Sequence, residues 1–280
     1  MTAFVVLHYM AYDMTRRCVD TILENFGAED IRIIVVDNAS SNGSGQKLKK
    51  DFFDNAKVSV LLNEENKGFA RGNNTGYRYA IKEYDPDYII VMNNDVIIRQ
   101  RSFLKRIEAI HEKTHFAVLG PDIINPYEKK HQNPVGNELM SLETAEKVKR
   151  SRRIRRVFPY PFFIKDAIME KLGRRKKAAD ACCPAILHGA CYIFSREFTA
   201  VRKYAFNPGT FLYLEEEILG LECQKAGLKL VYSPDVRVLH YEDVATDMVC
   251  RKALEKYRMH NEESLRSLDV YISLLKEERV

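Results

Sequence analysis

The sequence predicts an α/β fold, with a mainly parallel central sheet flanked by helices. Three observations lead there. Short runs rich in β-branched residues recur through the first hundred positions. Amphipathic stretches at helical spacing separate them, the pattern of parallel strands joined by crossover helices. Polar clusters of Asp and Asn follow directly on two of the runs, and open sheets of this class bind ligands beyond the carboxyl ends of their strands.

Taken in order, Phe4-Val5-Val6-Leu7 reads as a buried first strand. Cys18, Val19, Ile22, Leu23 and Phe26 form an apolar helical face, which Gly27 ends. Ile31 to Val36 is a second strand, running into the polar loop Asp37 to Gly43. Val58 to Leu62 is a third. Gly68 to Ile81 reads as a helix in spite of its glycines, and Tyr88 to Met92 as a fourth strand ending in Asn93-Asn94-Asp95. The second half is less regular. Residues 125–180 carry a basic insert, expected to be helical. Ile186 to Phe194 is strand-like around His188-Gly189-Ala190, and Leu214 to Ala226 is a helix with Gly227 as its C-cap. Leu228 to Tyr232 and Val236 to His240 read as two short strands. The charged stretch from Val249 to Lys276 favours a long helix.

With 280 residues, 46% hydrophobic and 30% charged, the chain has the composition of a globular protein with one large or two small domains. This excludes a disordered chain, a collagen-like fibre and a disulfide-stapled miniprotein. No apolar run approaches the ~18–20 residues that span a bilayer, and the start lacks the basic and small-residue marks of a secretory signal. A cytoplasmic location is expected. Six scattered cysteines suggest reduced thiols rather than a framework or a zinc site. Net charge is +5, but residues 147–177 hold thirteen Lys/Arg against two acids; that segment is +11 and the rest of the chain −6. Anions attracted by bulk charge meet the protein there. Within it, Phe158-Pro159-Tyr160-Pro161-Phe162-Phe163-Ile164 lies between basic clusters, a pattern of membrane-interfacial segments and equally of a solvated loop. The acidic remainder and the absence of a nucleic-acid module argue against nucleic-acid binding.

Several residues are candidates for chemistry. Asp95, at a strand end, could hold a divalent cation and through it a diphosphate, or simply complete a turn. Asp37 could accept a hydrogen bond from a base or ribose, or close an Asx-turn near Ser40. In Asn66 to Asn74, Gly68 and Gly72 permit close backbone approach, while Lys67 and Arg71 bring positive charge to a helix N-terminus. Phosphate contact and a solvated helix start both fit. Glu215-Glu216-Glu217 suits a helix dipole; its apolar approach, Phe211 to Leu214, would also raise a carboxylate pKa toward general-base work. His240 ends a strand and precedes Tyr241-Glu242-Asp243.

Together these pieces resemble the family-2 inverting glycosyltransferases of GT-A fold, especially the rhamnosyltransferase-like branch. The shared order runs through Ile34 to Ser40, Asn66 to Asn74, Met92 to Val96, His188-Gly189-Ala190, Phe211 to Glu217, Ala226-Gly227 and Pro234 to His240. The resemblance implies a catalytic domain over 1–245 and a C-terminal helical tail over 246–280, which could pack on that domain or form a homodimer. It implies sugar transfer from a UDP- or dTDP-linked donor to a hydroxyl of a glycan or lipid-linked glycan, in cell-surface polysaccharide synthesis. Asp37, Asn38, Lys67, Gly68, Arg71, Asn74, Asn93 and Asn94 would line the nucleotide pocket. Asp95 and His240 would hold Mg²⁺ or Mn²⁺, and Glu216 would be the base, with Glu215 as the alternative. Peripheral contact with the inner face of the plasma membrane through 147–177 is the matching expectation. Asn93 stands where the family has an acid, the catalytic pair is Glu-Glu rather than Glu-Asp, and Ile218 replaces a further acid. The rival expectation is therefore a catalytically degenerate module that keeps nucleotide binding.

Overall fold

The computed structural model describes residues 1–172, 179–241 and 253–277, with backbone alone for 167–172 and Ala253. The basic cluster Arg174 to Lys177, Glu242-Asp243 and the start of the tail at Val249 lie outside the described residues.

The chain runs β1 (Thr2–His8), α1 (Tyr12–Phe26), β2 (Ile31–Asp37), α2 (Ser44–Asp51), β3 (Val58–Leu62), α3 (Gly68–Tyr84) and β4 (Tyr88–Asn93). It continues with β5 (Val96–Ile97), α4 (Phe103–Thr114), β6 (Val118–Asn125), β7 (Lys130–His131), α5 (Leu142–Val157) and α6 (Pro159–Leu172). The last elements are β8 (Cys191–Ser195), α7 (Arg196–Thr199), α8 (Glu215–Lys225), β9 (Leu230–His240) and α9 (Ala253–Lys276). The strands form one sheet in the order β3-β2-β1-β4-β8-β6-β9-β5, with β7 paired to β6. β3, β2, β1 and β4 are mutually parallel, as are β6 and β9. β8 joins the two parallel parts by antiparallel pairing with β4 and β6.

Period-two alternation splits each central strand between two cores, because successive side chains point to opposite faces. Phe4 and Val6, Ile33 and Val35, Ile90 and Met92 face α1, α2 and α4, packing on Ile22, Phe26, Leu48, Phe103 and Ile107. Val5, Ile34 and Val36, Ile89 and Val91, Tyr192 and Phe194 face α3, α7 and α8, packing on Tyr77, Ala80, Phe198 and Leu219. Both faces are covered, which is why these strands read as unbroken apolar runs. The sheet is the middle of three layers.

β9 differs in detail from the sequence pattern, and α9 takes one of the two arrangements expected for it. The expected strands 228–232 and 236–240 form one strand, whose register on β6 jumps from Pro121↔Ser233 to Asp122↔Arg237. Pro234 cannot donate a ladder bond, so the chain bulges there instead of ending the strand. The C-terminal helix packs on its own chain: Tyr271 and Ile272 of α9 share a small core with Ala145 of α5 and Ile218 and Leu221 of α8.

Candidate active site

The strand order reverses direction at β1: β2 and β3 lie on one side of it, β4 on the other. Such a switch point opens a crevice beyond the carboxyl ends. Register brings three polar positions to it, with His8 beside Asp37 and Leu7 beside Asn93. Asp37 is buried and accepts from the Ser40 N–H at 3.2 Å, so its carboxylate orders its own loop. The His8 ring bridges Thr15 Oγ1 (2.6 Å) and Ser44 Oγ (2.8 Å). Burial lowers its pKa to about 4, against the opposing pull of Asp37. His8 is thus neutral, and Asn94, donating to Thr15 Oγ1 at 2.8 Å, is held in the same network. Asn93 bonds through its backbone to Ala190 O at 2.9 Å.

The expected nucleotide-pocket residues divide by role. The Asn38 carboxamide donates to Asn66 Oδ1 (2.9 Å) and Gly68 O (3.1 Å) and accepts from Asn63 Nδ2 and the Lys67 N–H, both at 3.1 Å. It is the tether of the loop that launches α3. Asn74 is engaged at both ends by the Phe206 backbone, at 2.8 and 3.0 Å. Arg71 Nε donates to Pro208 O at 2.6 Å, and the Phe69 N–H to Phe211 O at 2.7 Å. Gly68 has φ +72, and a Cβ there would stand 2.3 Å from Phe211 O. The N-terminal turn of α3 is thereby stitched to the loop that delivers the acidic cluster. The Lys67 side chain forms no ion pair among the described residues and is free to meet an anion at this helix start.

Asp95 and His240 meet although 145 positions separate them, because β5 pairs with β9 and sets Val96 opposite His240. Asp95 Oδ1 is 3.3 Å from His240 Nε2, and both residues are buried. That oxygen accepts no hydrogen bond. Gln132 Oε1 lies 2.9 Å from His240 Nδ1. A carbonyl oxygen only accepts, so with the carboxamide in this orientation Nδ1 carries a proton and Nε2 is the ring nitrogen that faces Asp95. A buried carboxylate oxygen without a hydrogen-bond donor, facing an imidazole nitrogen, supplies two donor atoms of the kind a divalent cation takes. The pair fits a divalent ion whose remaining positions are filled by ligand and water. Among the described residues no third His, Cys, Asp or Glu completes a metal-binding group.

The acids enter through a strained turn. Tyr213 (φ 71) and Leu214 (φ 63) are consecutive left-handed residues, and α8 starts immediately after them. Such conformations cost about 1–3 kcal/mol each and persist where the surroundings impose them. Here α9 does so: the His260 ring packs edge-on to Tyr213 at 4.3 Å, and Ser267 Oγ donates to Leu212 O at 3.2 Å. Arg152 of α5 donates to His260 Nδ1 at 2.9 Å. Burial and the neighbouring Arg152 and Arg155 lower the His260 pKa to about 4, so the ring accepts as a neutral imidazole.

The turn sends neighbouring glutamates to different places. Glu215 is buried near Thr210, and burial raises its carboxyl to about 7. Glu217 is also raised by burial. Glu216 is partly exposed, accepts from the Gly189 N–H, and lies 4.0 Å from His188 Nδ1. The His188 ring sits 5.7 Å from that of His240. Glu216, His188, His240 and Asp95 therefore form one continuous line along the rim. His188, Gln132 and His8 were not among the expected site residues; each sits at or beside a strand end that the register carries to this rim.

Comparisons with known proteins bear on the fold and the family. The chain is 26% identical over 136 residues to the low-salt glycan biosynthesis hexosyltransferase Agl10 of Haloferax volcanii, an alignment covering 42% of each chain. It is 24% identical over 228 residues to the rhamnosyltransferase WbbL of Escherichia coli, covering 79% of this chain and 77% of the relative. The crystal structure of GalNAc-T7 with UDP, GalNAc and Mn²⁺ superposes with a TM-score of 0.60 at 15% identity, over 88% of this chain and 44% of that one. The chain thus spans less than half the length of Agl10 and of GalNAc-T7. The architecture is the GT-A fold. The glycosyl transferase family 2 model matches residues 3–173, and the chain belongs to that family.

Proposed function

We propose that the chain is a metal-dependent, inverting glycosyltransferase that moves a sugar from a nucleoside diphosphate to an acceptor hydroxyl. The observation that carries this reading is the single rim on which Glu216 faces the Asp95–His240 pair across His188. Asp37 would meet the base or ribose, while Lys67 and Arg71 at the α3 N-terminus would attract the diphosphate. Asp95 and His240 would hold Mg²⁺ or Mn²⁺. When bound, such an ion offsets the charge that develops on the leaving diphosphate. Glu216 would take the proton of the acceptor hydroxyl while that oxygen attacks the anomeric carbon opposite the leaving group. One C–O bond forms as another breaks, and the anomeric configuration inverts. Glu215, enclosed near Thr210, is less accessible to an acceptor than Glu216.

The relatives' names give hexosyl, rhamnosyl and dTDP-rhamnosyl transfer and, for one, glycan biosynthesis; on our reading the donor is UDP- or dTDP-linked and the acceptor a glycan or lipid-linked glycan in cell-surface polysaccharide synthesis. The free cysteines, among them adjacent Cys182 and Cys183, suit the reducing cytoplasm. Glu216→Gln should abolish transfer, at least 1000-fold, while preserving nucleotide-induced thermal stabilisation. Full activity of that variant would refute the base assignment. Asn93 in place of an acid favours a second reading, a nucleotide-binding module without catalysis. Metal-dependent nucleotide binding with no turnover across a donor panel would select it.

A further inference from the structure

We propose that the corner between α5 and α6 is a docking surface for an anionic lipid bilayer. Eleven large apolar side chains are exposed among the described residues, and five of them fall within positions 154–164: Ile154, Val157, Phe158, Tyr160 and Ile164, each 53–65% exposed. Elsewhere such residues occur singly or in pairs, which needs no explanation; here they form one edge. Helical spacing separates an outer face from an inner one. On α5, Arg150, Arg153, Ile154 and Val157 point outward, whereas Arg152 bonds His260 and Asn261 and Arg155 bonds Asp166. On α6, Tyr160, Ile164 and Lys165 point outward, whereas Phe162 lies under Arg155 and Phe163 packs on Tyr257. Among the side chains described for α6, both the inward and the outward ones are largely apolar and only the inward ones are covered, which calls for an apolar partner.

The flanking charge identifies the partner. Arg150, Arg153, Arg156 and Lys165 are exposed and make no ion pair among the described residues. An apolar edge bordered by unpaired cations matches the acyl–headgroup boundary of an anionic leaflet, where each Lys or Arg near the surface adds about 1 kcal/mol. The inner face anchors the corner to α9, so it is a fixed platform rather than a loose loop. This also separates the arginines that were indistinguishable in sequence: Arg152 and Arg155 hold the fold, while Arg150, Arg153 and Arg156 are available to lipid.

The test is co-sedimentation of the full chain with phosphatidylcholine vesicles, with and without 30% phosphatidylglycerol, at 0.15 M salt. The inference does not depend on sugar transfer, and nucleotide-induced thermal stabilisation is followed separately. Binding to the anionic vesicles is expected. Arg150→Ala, Arg153→Ala and Arg156→Ala together should lower it on the order of 100-fold. Phe158→Ser with Ile164→Ser should lower it at least tenfold even at low salt, and Arg→Lys at the three positions should retain it. Unchanged melting temperatures would establish that the variants fold. Failure of the wild type to bind, or equal binding by the alanine triple variant, would overturn the proposal. So would a dimer in solution lost on Phe158→Ser with Ile164→Ser, or tighter binding of the same face to RNA than to vesicles.

Discussion

Glu215 and Glu216 are adjacent in sequence, yet one rotation of the helix start gives them different surroundings. Enclosure drives the Glu215 carboxyl from 4.5 to about 7, in spite of hydrogen bonds from its backbone and Thr210 that oppose the shift. Between those values the folded chain holds a proton that the unfolded chain has released. This contribution is complete below about pH 4.5 and is lost as pH rises through about 7. Glu215→Gln removes the titration, so urea unfolding should give similar stability to wild type near pH 5. Above pH 8 the variant should be more stable, by on the order of 2–3 kcal/mol. Parallel stability–pH curves would contradict the buried placement. Residue types at strand ends made Asp37, Asp95 and His240 candidates in the sequence, whereas Glu216, in the first turn of α8, was singled out by the family resemblance. The choice between Glu215 and Glu216 was not legible, because it depends on the left-handed pair Tyr213-Leu214. Nor were the tethering roles of Asn38 and Asn74: a carboxamide that holds a loop and one that meets a nucleotide have the same local sequence. Gln132 and His188 became neighbours of His240 only through β6, β8 and β9 pairing.

The α3 start and the acidic loop behave as one element. Gly68 is required twice over, by its positive φ and by the close approach of Phe211 O. Gly68→Ala should destabilise the fold by about 2 kcal/mol and, by moving the acidic loop, lower turnover; denaturant unfolding and a transfer assay measure the two effects. The neighbouring clamp makes a different prediction. His260→Ala leaves the half-buried Arg152 without its ring acceptor and Tyr213 without its packing partner. It should lower kcat with little change in donor KM, whereas equal loss in both would place the clamp in donor binding. Strands β1 to β4 and helices α1 and α3 were legible because both faces of the sheet are covered and the apolar runs are unbroken. The α4 and β6 elements carried the same signal, Phe103 and Ile107 at helical spacing and a buried run from Val118, but they fall in a stretch with no chemistry-bearing motif. The division of β9 at Pro234 followed local turn chemistry, which tertiary pairing with β6 overrides.

At the scale of the molecule, the C-terminal helix is part of the fold's support rather than an appendage, packing on α5 and α8. Leu268 is fully buried, as is Tyr271, whose hydroxyl donates to Met140 O at 3.0 Å. Leu268→Ala should cost about 2–4 kcal/mol in denaturant unfolding, and a neutral result would mean that the helix adds little to the fold. Charge was legible as a segment, but its separation into inward and outward arginines required the packing of α5 and α6 on α9. No described helix is long and apolar enough to cross a membrane. The central claim is that a metal-binding pair and a nucleotide crevice occupy one rim. It is tested most directly by calorimetric titration of UDP, dTDP, GDP and CDP into wild type and His240→Ala, each with and without Mn²⁺. The account predicts that at least one nucleotide binds wild type, at least tenfold tighter with Mn²⁺, and that His240→Ala loses most of this gain. Affinities identical with and without Mn²⁺ in both proteins, or no nucleotide binding by folded wild type, would contradict it.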